Sequence, residues 1–277
     1  MNDKRIVCLI LLFISLIPYI HGIDLFHSDL GTVIHITDTT MKVEISGYSG
    51  EPDTTEEYNV SWETKNCLRY LSFFYNGTFL DPYNGPKVPH GMKKYLVIEG
   101  SYFLFFYNES NKREFSIVGG KAPLDWSNVT TISATSELKE NNTVYSVKNL
   151  YSMSLLVPWV EGVFGDGIGE KIRIEMEQAR RKPNGDQSIA SLFISNGFVD
   201  YNRPYLYEYN NRLKKIRVHN VGYNEYVDFN IEDNSDIKWL RFSFKNPSYI
   251  IEIEILEVYK GTRWDDTCVN FIIPCVY

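Results

Sequence analysis

From Lys171 onward, apolar and charged side chains alternate residue by residue. The run Lys171-Ile172-Arg173-Ile174-Glu175-Met176-Glu177 is strict, and the same period recurs over Lys215 to His219, Val227 to Glu232, Leu240 to Lys245 and Ile251 to Ile255. A period of two sends successive side chains to opposite faces of a strand, so each run predicts one face in a core and the other in water. Turn-forming clusters separate the runs: Pro183-Asn184-Gly185-Asp186, Glu232-Asp233-Asn234-Ser235 and Asn246-Pro247. Regularly spaced antiparallel strands with no sustained helical period predict an all-β sandwich or barrel.

Upstream the pattern is β-rich but less regular. Val33 to Ile36, Met41 to Ile45, Tyr70 to Tyr75, Tyr95 to Ile98, Tyr102 to Tyr107 and Phe115 to Val118 are strand candidates, with loops at Gly50 to Asp53 and Pro82 to Pro86. Such short strands suit a small barrel or sandwich of unknown type over residues 23–126. Gly119-Gly120-Lys121-Ala122-Pro123 is the linker candidate, and a second domain is expected over residues 131–277. At the start, Lys4 and Arg5 precede an apolar stretch, Ile6 to Ile20, broken by Ser15 and Pro18. That stretch is short for a bilayer span, which needs about 20 residues. It predicts an export signal over residues 1–22, with a secreted, periplasmic or envelope-associated product.

The formal net charge is −7; without residues 1–22 it becomes −8, from 26 basic and 34 acidic residues. An acidic chain lacks the field that gathers polyanions, so nucleic acid is excluded as the expected partner. The dense basic run Ala179-Arg180-Arg181-Lys182 reads as a solvated loop ahead of an anionic-surface contact. Beyond the signal three cysteines remain, Cys67, Cys268 and Cys275. An exported chain can keep disulfides, and Cys268 with Cys275, closing a short C-terminal loop, is the leading pair. No CxxC, Cys/His cluster, GxSxG, HExxH or phosphate-loop motif occurs, and His27, His35, His90 and His219 are scattered. No metal, cofactor or catalytic residue is therefore expected. Asn-x-Ser/Thr sequons at Asn59, Asn76, Asn108, Asn128 and Asn141 are discounted as chance in an Asn- and Thr-rich chain.

The segment Trp159-Val160-Glu161-Gly162-Val163-Phe164-Gly165-Asp166-Gly167-Ile168-Gly169-Glu170 has four glycines in eight positions and runs straight into a strand. A dinucleotide loop would run into a helix instead. This segment resembles the W-V-E-G-x-x-G-D-G-I-G-E run of the discoidin-like (F5/8 type C) family, found as the translocation domain of secreted bacterial NAD glycohydrolases. Ser195-Asn196-Gly197-Phe198 resembles that family's N-G-Y/F turn. Tyr209-Asn210-Asn211-Arg212-Leu213-Lys214 resembles its Y-x-x-N-x-R-x-K stretch, and Val258 to Cys268 its closing V-Y-x-G-x-x-x-D-D-T strand and loop. The resemblance implies a galactose-binding-like jelly-roll β-sandwich that binds glycans or membrane-surface ligands through loops at one end, and implies no NAD hydrolysis. The sequence departs from the pattern before Trp159: Leu150 to Pro158 lacks the acidic turn that helps hold Ca²⁺ in such domains, and Asn270-Phe271 replaces an acidic strand residue.

Candidate residues follow from both lines. Tyr201, Tyr205 and Tyr207 lie in an aromatic loop, Asp200 to Asn211, suited to contact with a partner. Asn196, Asn210 and Arg212 are polar groups that either meet a ligand or lock loops. Trp264 with Asp265 and Asp266 either forms a platform for a sugar or caps the last strand. Trp159 is expected in the core rather than stacked on a sugar. Glu161, Asp166 and Glu170, with Gly162, Gly165, Gly167 and Gly169, are expected to fix the glycine-rich loop rather than to act as paired carboxylates for glycoside hydrolysis. The expectation is an exported, non-catalytic protein that recognises a glycan or cell-surface ligand. A protein-only adhesion role, or an active site in the N-terminal half, are the alternatives.

Overall fold

The computed structural model describes residues 25–27, 32–46, 52–81, 86–101, 103–119, 129–177 and 188–276. The export segment, most of the linker candidate, the basic run 179–182 and the turn 183–186 lie outside the described residues.

Eight antiparallel strands form a closed barrel. They are β1 (Leu25–His27), β2 (Thr32–Ile36), β3 (Thr40–Ser46), β4 (Pro52–Lys65), β5 (Leu68–Tyr75), β6 (Gly91–Gly100), β7 (Phe103–Tyr107) and β8 (Arg113–Gly119). Each pairs with the next, and β8 returns to β1, so the barrel has no free edge. Its interior is filled by Ile34, Met41, Val43, Tyr58, Phe73, Tyr75, Tyr95, Val97, Phe106 and Phe115. Two sequence expectations change here. The Gly50 to Asp53 loop ends early, because β4 starts at Pro52, and β4 itself went unread although Glu57 to Glu63 alternates.

From residue 129 two sheets stack. One holds β12 (Trp159–Val160), β19 (Cys268–Val276), β14 (Ile189–Asn196) and β17 (Lys238–Arg241), in that order. The other runs β16 (Glu225–Asn230), β15 (Arg212–Asn220), β18 (Ile250–Tyr259), β13 (Lys171–Met176) and β9 (Val129–Ala134). Between them lies the core that the alternation predicts: Ile172, Ile174 and Met176 of β13, Ile216 and Val218 of β15, and Ile251, Ile253 and Ile255 of β18, against Leu192, Ile194 and Ile272. The described residues are all-β, apart from a short helix α1 (Tyr205–Tyr209) and a 3-10 turn at Val147–Tyr151. No helix among the described residues is long and apolar enough to cross a membrane. The strand expected over Leu240 to Lys245 ends at Arg241.

The four-stranded sheet is covered on both faces. Its second face, Phe193, Phe271, Ile273 and Cys275, packs on the outward side chains of the barrel strands β5 to β7: Leu68, Tyr70, Leu96, Ile98, Phe103 and Phe105. Phe103 meets Phe193 edge-on with ring centroids 4.9 Å apart. Phe103, Phe105, Phe193 and Phe271 are each at most 2% exposed. At ~1.5–3 kcal/mol per buried side chain, this seam alone rivals the ~5–15 kcal/mol net stability of a whole domain. It also explains the irregular upstream pattern: Phe103 to Tyr107 is buried at every position because both faces of β7 are covered.

Strand β19 overturns the expected disulfide. Cys268 and Cys275 stand seven residues apart along one strand, roughly 23 Å at ~3.3 Å per residue, whereas a disulfide needs Cα atoms within about 7 Å. Neither forms a disulfide and both are buried, and Cys67 is exposed and outside any disulfide.

Candidate functional site

At one end of the sandwich, β14 stops at Asn196 and β19 starts at Cys268, and three loop segments converge there. They are the hairpin of β10 (Lys139–Glu140) and β11 (Thr143–Val144), the stretch from Gly197 through α1, and the loop from Lys260 to Thr267. Between them opens a cavity of about 190 Å³, lined by Glu140, Tyr145, Phe198, Arg203, Asn210, Trp264 and Asp266 over a floor of Leu138, Val160, Leu206 and Cys268.

The glycine-rich run braces this end. Gly167 sits at φ +65°, and a Cβ there would lie 2.5 Å from Glu161 Cγ. Glu161 is fully buried; its carboxylate accepts from the backbone N–H of Val163 (2.8 Å) and of Thr267 (3.2 Å). Burial pushes its carboxyl up, and these two bonds pull the other way. Thr267 Oγ1 donates to the carbonyl of Asp166 (2.7 Å), and the Asp166 carboxylate accepts from Asn211 and Lys260. Glu170 accepts from the hydroxyls of Thr135 (2.6 Å) and Ser136 (2.5 Å). Trp159 is fully buried, its indole N–H on the carbonyl of Ser136 (3.2 Å). Through Thr267 the run fixes the residue beside Asp266.

A second support comes from Asn211, also fully buried. Its amide nitrogen donates to the carbonyl of Asp265 (2.6 Å), its side-chain oxygen accepts from Gly261 N–H (2.7 Å), and its backbone N–H bonds the carbonyl of Asp266 (2.9 Å). Both ends of the Trp264 loop are thereby held. A third comes from the barrel. Asp200, 2% exposed, accepts from Arg203 Nη2 (2.8 Å) and Nε (3.2 Å) and from Asn111 of the β7–β8 turn (3.2 Å).

Of the seven ligand candidates, Asn210 and Trp264 line the cavity, and the others stand elsewhere. Arg212 is a correction: its guanidinium is paired with Asp233 (Nε to Oδ1 2.6 Å, Nη2 to Oδ2 2.9 Å) and donates to the carbonyls of Tyr207 and Asn210, so it locks the loop from inside. Tyr207 is 1% exposed and lies under Gly197, whose φ is +83° and whose Cβ would stand 2.6 Å from the ring. The segment expected to be a free aromatic loop winds into α1, which turns Tyr207 inward. Tyr201 is committed to the barrel, edge-on to Tyr70 at 5.5 Å with its hydroxyl on Lys94 O. Tyr205 is exposed and packs on Tyr209 (5.1 Å), and Asp265 points to solvent near Lys260 (3.4 Å). Asn196 is buried and bonds both backbone polar groups of Leu213.

Sequence reasoning missed Glu140, Tyr145, Phe198 and Arg203 as lining residues. Asp266, which the sequence already set beside Trp264, lines the cavity; Glu140 and Tyr145 lie outside every motif, and only the hairpin brings them in. Burial, then Glu140 and Asp265, hold the Asp266 carboxyl above the usual aspartate range. Burial likewise raises the Tyr145 phenol. Among the described residues no group of three or more His, Cys, Asp or Glu is placed to hold a metal ion. The lining offers aromatic faces and oxygen acceptors, the groups that hold a small polar ligand.

A family model described as the NAD glycohydrolase translocation F5/8 type C domain matches residues 125–273, more than half of the chain. The chain belongs to that family. The match covers the two stacked sheets up to Ile273 of β19 and every residue lining the cavity, so the cavity is a feature of the translocation F5/8 type C region. No curated protein matches the chain. Solved structures with similarity include a family 32 carbohydrate-binding module from C. perfringens in complex with galactose, 17% identical over 52% of this chain and 91% of that one, TM-score 0.34. Another C. perfringens module, in complex with GalNAc-β-1,3-galactose, is 16% identical over 56% and 99%, TM-score 0.38. A two-domain protein of unknown function from Bacteroides fragilis is 11% identical over 91% and 89%, TM-score 0.34.

Proposed function

We propose that this protein is an exported, non-catalytic binding protein whose F5/8 type C region takes a terminal sugar of a glycan into the cavity beneath Trp264. One observation carries the reading: a partly exposed Trp264 stands at a cavity of about 190 Å³ that also presents Glu140, Arg203, Asn210 and Asp266. A sugar ring has an apolar face and a rim of hydroxyls, and an aromatic plane beside fixed polar groups matches both. The buried bonds of Glu161, Asn211 and Asp200 hold Arg203 and the Trp264–Asp266 loop before any ligand arrives, which reduces the entropy lost on binding. Export rests on Lys4, Arg5 and the apolar stretch that follows. The barrel contributes the Asn111 contact to Asp200 and no lining residue of this cavity.

A glycan array probed with the full chain tests the proposal. The expected result is binding to a defined terminal sugar that Trp264→Ala abolishes. An array without hits, or hits that Trp264→Ala leaves intact, would overturn it.

A further inference from the structure

Among the described residues no Lys or Arg is paired with Glu140 or Asp266, the two carboxylates of the cavity lining. The charged groups acting on Asp266 are Glu140 and Asp265, both of its own sign. The nearby bases are engaged elsewhere. Arg203 is held by Asp200, and Lys260 by Asp166 and Asp265. Arg263 lies over the rings of Trp264 (4.8 Å) and Tyr209 (5.6 Å), outside the lining. Counting Arg203 with Asp200 as neutral, the cavity carries the two negative charges of Glu140 and Asp266.

An independent observation concerns Asn210. It is 5% exposed and lines the cavity, and its amide nitrogen is spent on the carbonyl of Leu206 at 2.8 Å. Its side-chain oxygen accepts from no described residue and is not closed off from solvent, so it can accept from a ligand. Tyr145 and Phe198, edge-on to each other at 6.2 Å, complete the wall with Trp264. Two carboxylates, a free amide oxygen and three aromatic side chains ask for a hydrogen-bond donor that is also positive. Ammonium meets all three demands, through charge-assisted hydrogen bonds to the carboxylates and attraction to ring faces. A neutral hydroxyl meets only the first in part, and a carboxylated or sulfated sugar is repelled.

Resting on the glycan reading above, we infer that the cavity selects a saccharide bearing a protonated amine, an amino sugar whose nitrogen is not acylated, over neutral and acidic sugars. Glu140 and Asp266 set that preference, while Trp264 supplies sugar contact common to all of them.

Isothermal titration of the full chain with four probes tests this: a glucosamine tetramer, its fully N-acetylated counterpart, lactose, and the sugar-free amine cadaverine. The expected result is tighter binding of the glucosamine tetramer than of the acetylated one, by about tenfold or more. Glu140→Gln and Asp266→Asn should each erase that difference, and added salt should weaken the amine but not the neutral sugars. Glu140 is an exposed hairpin residue, so Glu140→Gln keeps the test valid should Asp266→Asn disturb folding. Equal or tighter binding of the acetylated tetramer or lactose overturns the amine preference and leaves the glycan reading standing. Saturable binding of cadaverine alone, lost in Glu140→Gln, overturns the glycan reading and supports the amine preference. Binding of none of the four overturns the amine preference, and the glycan array then decides the glycan reading.

Discussion

Replacing Asn111 with glycine should loosen a pocket wall to which Asn111 does not belong. Asn111 lies on the β7–β8 turn of the barrel at φ +60°, 9% exposed. Its amide nitrogen donates to the Asp200 carboxylate (3.2 Å), and its side-chain oxygen accepts from Tyr201 N–H (2.7 Å). Glycine tolerates the positive φ, so Asn111→Gly removes those two bonds without adding strain. A hydrogen bond to a charged group contributes ~1.5–3 kcal/mol and a neutral one ~0.5–1.5 kcal/mol, which places the loss at about 2–4 kcal/mol. For a cooperative unit of this size each kcal/mol moves Tm by about 2–4 °C, so a fall of roughly 5–15 °C is expected in differential scanning calorimetry. Because Asp200 also holds Arg203, affinity for the glucosamine tetramer should weaken along with it. Asn111→Ala, which adds a left-handed Cβ, should fall further by ~1–2 kcal/mol. An Asn111→Gly protein that melts within about one degree of the parent would refute the argument that this turn carries load across the seam.

Gly167→Ala should destabilise by at least ~1–2 kcal/mol from its φ alone, and by more as the new methyl displaces Glu161; a melting curve like the parent's would contradict the bracing role. Cys268 and Cys275 should resist thiol alkylation in the native state while Cys67 reacts, and dithiothreitol should leave Tm unchanged; mass spectrometry after labelling reads the first and calorimetry the second. Burial holds the Asp236 carboxyl above the ordinary aspartate range, with Lys238 and Arg69 pulling against it. The folded chain therefore keeps a proton that the unfolded one releases: this stabilisation is full below the unfolded pKa and is lost as pH rises through the folded value. Asp236→Asn should raise Tm near neutral pH and shrink the gain on acidification; a lower neutral Tm than the parent's would reverse the assignment.

The sandwich was legible because water lies on one side of most of its outer sheet. Ile172, Ile174, Ile251 and Ile253 alternate with charges, and period two survives wherever only one face is buried. The barrel was harder to read where strands β5 to β7 are covered twice, since Phe103 to Tyr107 then carries no alternation. Motif membership does not distinguish a group that lines a cavity from one that holds the lining. Arg212 and Tyr207 hold it and Trp264 forms it, a difference made by the inward turn of α1 and the position of Asp233. Glu140 and Tyr145 reach the cavity only through the β10–β11 hairpin, a long-range fact with no local signal.

The aromatic seam between β5–β7 and the four-stranded sheet has a bearing on heredity as well as on stability. Most modules joined by a linker can be recombined one at a time. Here a crossover between residues 119 and 129 would strip Phe193, Phe271 and Ile273 of their cover and leave a sticky orphan sheet. Any recombinant that traded the barrel would need a replacement with an equally aromatic flank and an asparagine, or its equivalent, opposite Asp200. An exchange of the barrel is therefore expected to leave that face of the sheet uncovered unless the replacement brings an aromatic flank of its own.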